Sequence, residues 1–419
     1  MPTRKAGRGL GATEKTGTIP FILVTVLLDS LGVGLIIPVG PRLVASFLHE
    51  DLSAASHYFG LLVALFALMQ FLFATVIGGL SDRFGRRPVI LVSLFGAACS
   101  YLLSALAPTL SWLFVGRIIT GITGASFSAA NAYVADITPP EKRAASFGLV
   151  GAAFGFGFIL GPALGGTLGD VGLRVPYFVA AGLNALNFVY GLFVLPESLA
   201  EKDRRDFSLA RSNPFGALRH LAKYPIVLAL TGTIFCGFMA QWILQSVWAL
   251  DMQARFGWKL REVGISLMIV GVAMALVQGV GVRAIMPKLG QRRALLVGLV
   301  ISAIGNAAIG AATRGWMIYA ILFPIALGGI AGPATQAIIT HEVGRAEQGE
   351  LQGSVNSVGG LAAIIGPLVG TSLLGKFGPP DAHPHIPGAP FYMGALVQIL
   401  GLTLAMRAFR RRAPVVTQV

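Results

Sequence analysis

The sequence predicts an all-α polytopic membrane protein: twelve transmembrane helices arranged as two pseudo-symmetric six-helix bundles. Three observations lead there. Of 419 residues, 55% are hydrophobic and 12% charged, with a mean hydropathy of +0.74; a soluble domain carries about twice that charge. Apolar segments of about 20 residues, long enough to cross a bilayer as helices, recur along the whole chain. Landmarks also repeat at one offset: Gly85 and Gly290, Gly124 and Gly329, and Gly161-Pro162 and Gly366-Pro367 each lie 205 positions apart.

In chain order, residues 1–19 form a basic, polar tail. Six apolar segments follow at 20–48, 57–80, 88–107, 110–135, 145–169 and 175–196, a first bundle over 20–196. Segment 197–223 is charged and is the longest interruption, as a linker between halves requires. The second six fall at 225–250, 262–286, 293–312, 315–339, 352–375 and 389–409, a bundle over 224–409, and 410–419 is a basic tail. Most of the 32 lysines and arginines lie in the tails, the linker and the loops after even-numbered spans. That bias places both termini in the cytoplasm.

Composition also excludes classes. The net charge of +14 is scattered through short loops without stacking aromatics, so no nucleic-acid partner is expected. Cys99 and Cys236 lie inside apolar runs and suggest neither a disulfide framework nor a metal site. His383 and His385 share an outer loop without a third ligand. No cofactor or metal is expected. No His/Asp, Cys/His or metal-ligand cluster falls within the spans, which argues against an enzyme.

The loop between the second and third spans reads GGLSDRFGRRP, Gly78 to Pro88. Gly85 allows a backbone conformation closed to most residues, and Pro88 suits the first turn of a helix. Arg83, Arg86 and Arg87 hold the turn in the cytoplasm; Asp82 is the odd member, since an anchor needs only cations. A worn copy, Pro287 to Arg292, carries Pro287 where an acid would match.

Asp29 is the acid in the body of a span. Nine residues from the helix start put it about 14 Å deep. A carboxylate there costs on the order of 3 kcal/mol, and such residues usually face a cavity and carry function. Alternate wetting and drying would load and release a proton; the bland alternative is a static hydrogen bond to another helix. Arg117 is the cation within a span. It cannot usefully lose its proton, and coupling to Asp29 through water is expected rather than a direct pair. Snorkelling to the outer face is its alternative. Gly157 and Gly161 have the small-xxx-small spacing that lets helices approach, and Pro162 is expected to bend its helix, as Gly366-Pro367 is in the second half. Gln70, Asn184 and Gln278 would line a substrate path or bond helices for about 0.6 kcal/mol each.

SDRFGRRPV (81–89), GRIITGITGA (116–125), LLDSLGVGLIIPVGPRL (27–43) and RFGWKLREVGISL (255–267) resemble the tetracycline/H⁺ antiporters of the major facilitator superfamily. The resemblance implies an inner-membrane, multi-pass exporter working by alternating access. Its partners would be a small-molecule substrate, protons and the lipid bilayer, and a monomer is expected. It also implies that Asp29, Asp82 and Arg117 are needed for activity, that the loop acid steadies one conformer, and that Gln70, Asn184 and Gln278 line the substrate path. Met274 and Ser302 stand where the family carries a histidine and an aspartate, and Ser100 where it carries a third acid. The second half is therefore expected to hold no acid in the body of a span. A neutral, cationic or zwitterionic amphiphile is the expected cargo, rather than a magnesium chelate. A proton-coupled carrier of a metabolite such as a sugar or siderophore, importing or exporting, is the rival within transport. A membrane sensor is a further rival, weakened by the lack of a sizeable soluble domain.

Overall fold

The computed structural model describes residues 19–124, 126–204, 225–342 and 348–410, and these form helices and connections without a strand. Span 1 is Ile19–Ile36 with a short continuation, Gly40–Ser46. Spans 2 and 3 are Leu52–Phe84 and Arg86–Leu106, and span 4 is Leu110–Thr123 followed by Ser126–Ile137. Spans 5 and 6 are Arg143–Val171 and Val175–Val194, and span 7 is Pro225–Phe256. Span 8 begins at Leu260–Leu276, passes a π-helical turn at Val277–Gly281, and ends at Gly290, where the backbone leaves helical geometry and span 9 begins toward Ala311. Span 10 is Gly315–Ala326 and Ala331–Glu342 around a 3₁₀ turn, span 11 is Gln348–Phe377 and span 12 is Ala389–Arg410.

The starts follow local chemistry. Asp51 accepts the backbone N–H groups of Ser53 and Ala54 and so caps span 2. Glu262 accepts the Lys259 N–H at 2.8 Å at the start of span 8.

The repeated glycine-proline pairs pack helices. A methyl at Gly161 would stand 2.6 Å from the Gly34 Cα, and one at Gly366 2.6 Å from the Trp242 Cβ. Spans 5 and 1, and spans 11 and 7, therefore meet backbone to backbone. Helical geometry continues through Pro162 and Pro367. Interruptions of helical geometry fall at 37–39, Gly124, 277–281, Gly290 and 327–330. A proline inside a membrane helix removes one backbone bond, and packed neighbours tolerate that.

The two halves touch through spans 2 and 11 and through spans 5 and 8. The tightest approaches lie at the end opposite Gly85 and Gly290. A methyl at Gly60 would overlap Thr371, one at Gly264 the Pro162 carbonyl, and one at Gly166 the Leu260 carbonyl. Toward the Gly85 end, a methyl at Gly148, Gly151 or Gly279 would meet nothing within 4 Å among the described residues. The halves are sealed at one end and looser at the other.

A correction concerns acids. Span 7 runs to Phe256, past its expected end at 250, and so carries Asp251 into the second half's interior, fully buried. Its carboxylate meets the Arg255 guanidinium at 3.1 Å.

Candidate transport site and the charged turn

Span 2 ends at Phe84 and Gly85 takes φ +106°, a region that strains any side chain. A methyl there would also strike the Glu197 carboxylate. That carboxylate accepts the backbone N–H of Arg86 at 2.8 Å and of Arg87 at 3.2 Å. It thus satisfies two free donors at the positive end of span 3. The Arg86 guanidinium reaches Asp82 at 2.5 Å, Asp136 at 3.1 Å and the Ser81 hydroxyl at 3.2 Å. Asp136 also accepts from the Ser198 hydroxyl at 3.1 Å, and Arg87 donates to the Leu192 carbonyl at 2.7 Å. Spans 2, 3 and 4 and the chain leaving span 6 are thereby tied at one point.

Of the residues expected in this turn, Asp82, Gly85, Arg86 and Arg87 come together. Arg83 lies outside the cluster, exposed, with its guanidinium 5.4 Å from the Phe84 ring. Gly78 is corrected: it lies within span 2, where an added methyl would meet nothing within 4 Å among the described residues. Sequence reading missed Asp136 and Glu197. The first sits at a span end matched to His341 by the 205 offset; the second opens the segment read as linker, whose first residues belong structurally to the first half.

Inside the first half, Asp29 is half-buried in the body of span 1. Asp29 and Arg117 both lie within electrostatic reach of the buried Tyr101. Arg117 is half-buried and has no carboxylate at ion-pair distance among the described residues. Its guanidinium lies 5.9 Å from the Phe66 ring. It lines a cavity of about 20 Å³ whose polar wall is Ser100, Tyr101, Ser104, Thr120 and Tyr177, room for one water-sized particle. Acid, hydroxyls and cation thus lie along one polar strip of the bundle.

Of the three amides, Asn184 lies beside it, sharing the space at Gly32 with Tyr101. Gln70 donates to the Gly124 carbonyl at 3.2 Å, at the break in span 4. Asn184 is fully buried, donates to the Ala180 carbonyl at 3.0 Å, and packs where Gly32 leaves room in span 1. Gln278 is exposed in the π-helical turn. Ser100 donates to the Gly116 carbonyl at 2.7 Å. Met274 and Ser302 flank the 3₁₀ turn of span 10, where methyls at Gly329 and Gly328 would meet them.

The model of the Major Facilitator Superfamily matches residues 22–283 and 230–419. The chain is 43% identical over 352 residues to the tetracycline resistance protein, class C, of Escherichia coli, covering 84% of this chain and 88% of that one. To the class E protein of Escherichia coli it is 39% identical over 357 residues, 84% of this chain and 86% of that one. Its fold is similar to the crystal structure of the nucleoside transporter NupG, with a TM-score of 0.75 at 13% identity over 94% of this chain and 100% of that one.

Proposed function

The chain belongs to the Major Facilitator Superfamily, among the tetracycline resistance proteins, and from that premise we propose that it exports a small amphiphilic, drug-like molecule in exchange for protons. The Gly85 and Gly290 turns face the cytoplasm, as the basic residues around them favour. The sealed end then faces outward, and the structure corresponds to the state open to the cell interior.

In the cycle, the halves rock about the central seam. The closely packed pairs of spans 1 and 5, and 7 and 11, move as units. Wetting and drying shift a carboxylate between its charged and neutral forms. Asp29 takes a proton from outside and sheds it toward the cytoplasm as the substrate site returns. The Arg86 cluster keeps the cytoplasmic end of the first bundle rigid, so tilting is not lost in bending. The observation that carries this reading is Asp29, half-buried at mid-span beside the strip of Tyr101 and Arg117. Inside-out vesicles supplied with tetracycline, with and without Mg²⁺, test it. Accumulation should follow an imposed pH gradient and vanish in Asp29→Asn; undiminished accumulation in that variant would overturn the reading.

A further inference from the structure

We propose that the cavity beside Arg117 is a binding site for one small inorganic monoanion of the halide class. The proposal goes beyond export: the space is too small for a drug-like cargo and lies inside the first half rather than between the halves.

The argument is an inventory of donors. Ser100 and Thr120 each donate to the Gly116 carbonyl at 2.7 Å, and Ser104 donates to the Ser100 carbonyl at 2.9 Å. Those three hydroxyl protons are spent. Tyr101 and Tyr177 line the same cavity, and among the described residues neither hydroxyl has a hydrogen-bond partner. Gly40, also on the wall, lies where a methyl would stand 3.5 Å from the Tyr177 hydroxyl. Arg117 adds a guanidinium with five N–H groups and no carboxylate in reach. Three unspent donor groups therefore surround a space of about 20 Å³.

Charge decides what fills it. A water molecule accepts two hydrogen bonds and leaves the guanidinium charge standing; a monoanion accepts from all three groups and neutralises it. Two other arginines with little side-chain exposure have acids in place: Arg86, at 12%, meets Asp82 and Asp136, and Arg255, at 9%, meets Asp251. Arg117, lining a cavity inside the bundle, has no acid at ion-pair distance among the described residues, and a dissolved anion supplies what they do not. Asp29 supplies part of the countercharge from farther off, so a neutral side chain there should tighten anion binding.

The test uses the purified full-length chain in lipid nanodiscs, with chloride replacing gluconate at constant ionic strength. Chloride-35 NMR line broadening and the unfolding temperature are read, and no transport is involved, so failure here leaves the export reading untouched. Saturable broadening and a chloride-dependent rise in unfolding temperature are expected. Arg117→Gln should weaken affinity roughly tenfold or more, Tyr101→Phe and Tyr177→Phe each about threefold, and Ser104→Ala should not change it. Asp29→Asn should strengthen it. No saturable broadening in the unmodified chain would overturn the proposal, as would unchanged affinity in Arg117→Gln. If Arg117→Gln does not fold, unchanged affinity in the double tyrosine variant does the same.

Discussion

The turn at Gly85 and the turn at Gly290 share a backbone and differ in charge. Gly85 sits at φ +106°, ψ +160° and Gly290 at φ +72°, ψ +157°. At the 205 offset, Asp82 becomes Pro287, Arg86 becomes Gln291, Asp136 becomes His341 and Glu197 becomes Leu402. A methyl at Gly85 would strike a carboxylate, whereas Gly290 has nothing within 4 Å. Two helices can be joined at this angle by glycine alone. The ionic cluster is therefore not required by the turn's backbone, and it is a feature of the first half. The membrane interior has the same asymmetry: Asp29 sits in the body of span 1, while the second half's buried acid, Asp251, is held by Arg255 near a span end.

That contrast can be broken at several points. Asp29→Asn should lower the accumulation ratio by roughly tenfold or more, about 1.4 kcal/mol of lost coupling. Asp251→Asn should leave accumulation within about twofold while lowering the unfolding temperature, because Arg255 loses a buried partner. Equal loss in both would erase the asymmetry. Next, Arg86→Gln leaves Asp136 and Asp82 without their cation, at a cost of up to about 3 kcal/mol; Gln291→Ala should cost under about 0.5 kcal/mol. Thermal unfolding of the two variants side by side measures the difference. Gly85→Ala and Gly290→Ala both incur about 1–2 kcal/mol of backbone strain, and the first should lose more because Glu197 must also move. The smallest effect is expected of Glu197→Gln, about 0.3–1 kcal/mol from the end of span 3, shrinking as salt is added.

Much of this was legible in the chain. Apolar length located twelve spans, since a bilayer sets that length directly, and the 205-residue offset exposed the duplication. Ends and interruptions were less legible. Gly124 breaks span 4 and the π-helical turn at Val277–Gly281 interrupts span 8, yet no proline marks either place. Pro162 lies inside a continuous helix, beside Gly161, which packs against the backbone of span 1. Glu197 reads as linker until the chain folds back onto span 3. Asp136 reads as a span end until Arg86 reaches it from 50 positions away. Such pairings depend on tertiary contact, which local pattern does not encode.

The central claim is that a proton gradient drives export through Asp29. The most direct measurement is substrate accumulation in inside-out vesicles, followed before and after a protonophore abolishes the pH gradient. The account predicts that the accumulated substrate runs down to equilibrium in the unmodified protein, and that Asp29→Asn never accumulates it. Accumulation that persists without the gradient would contradict it.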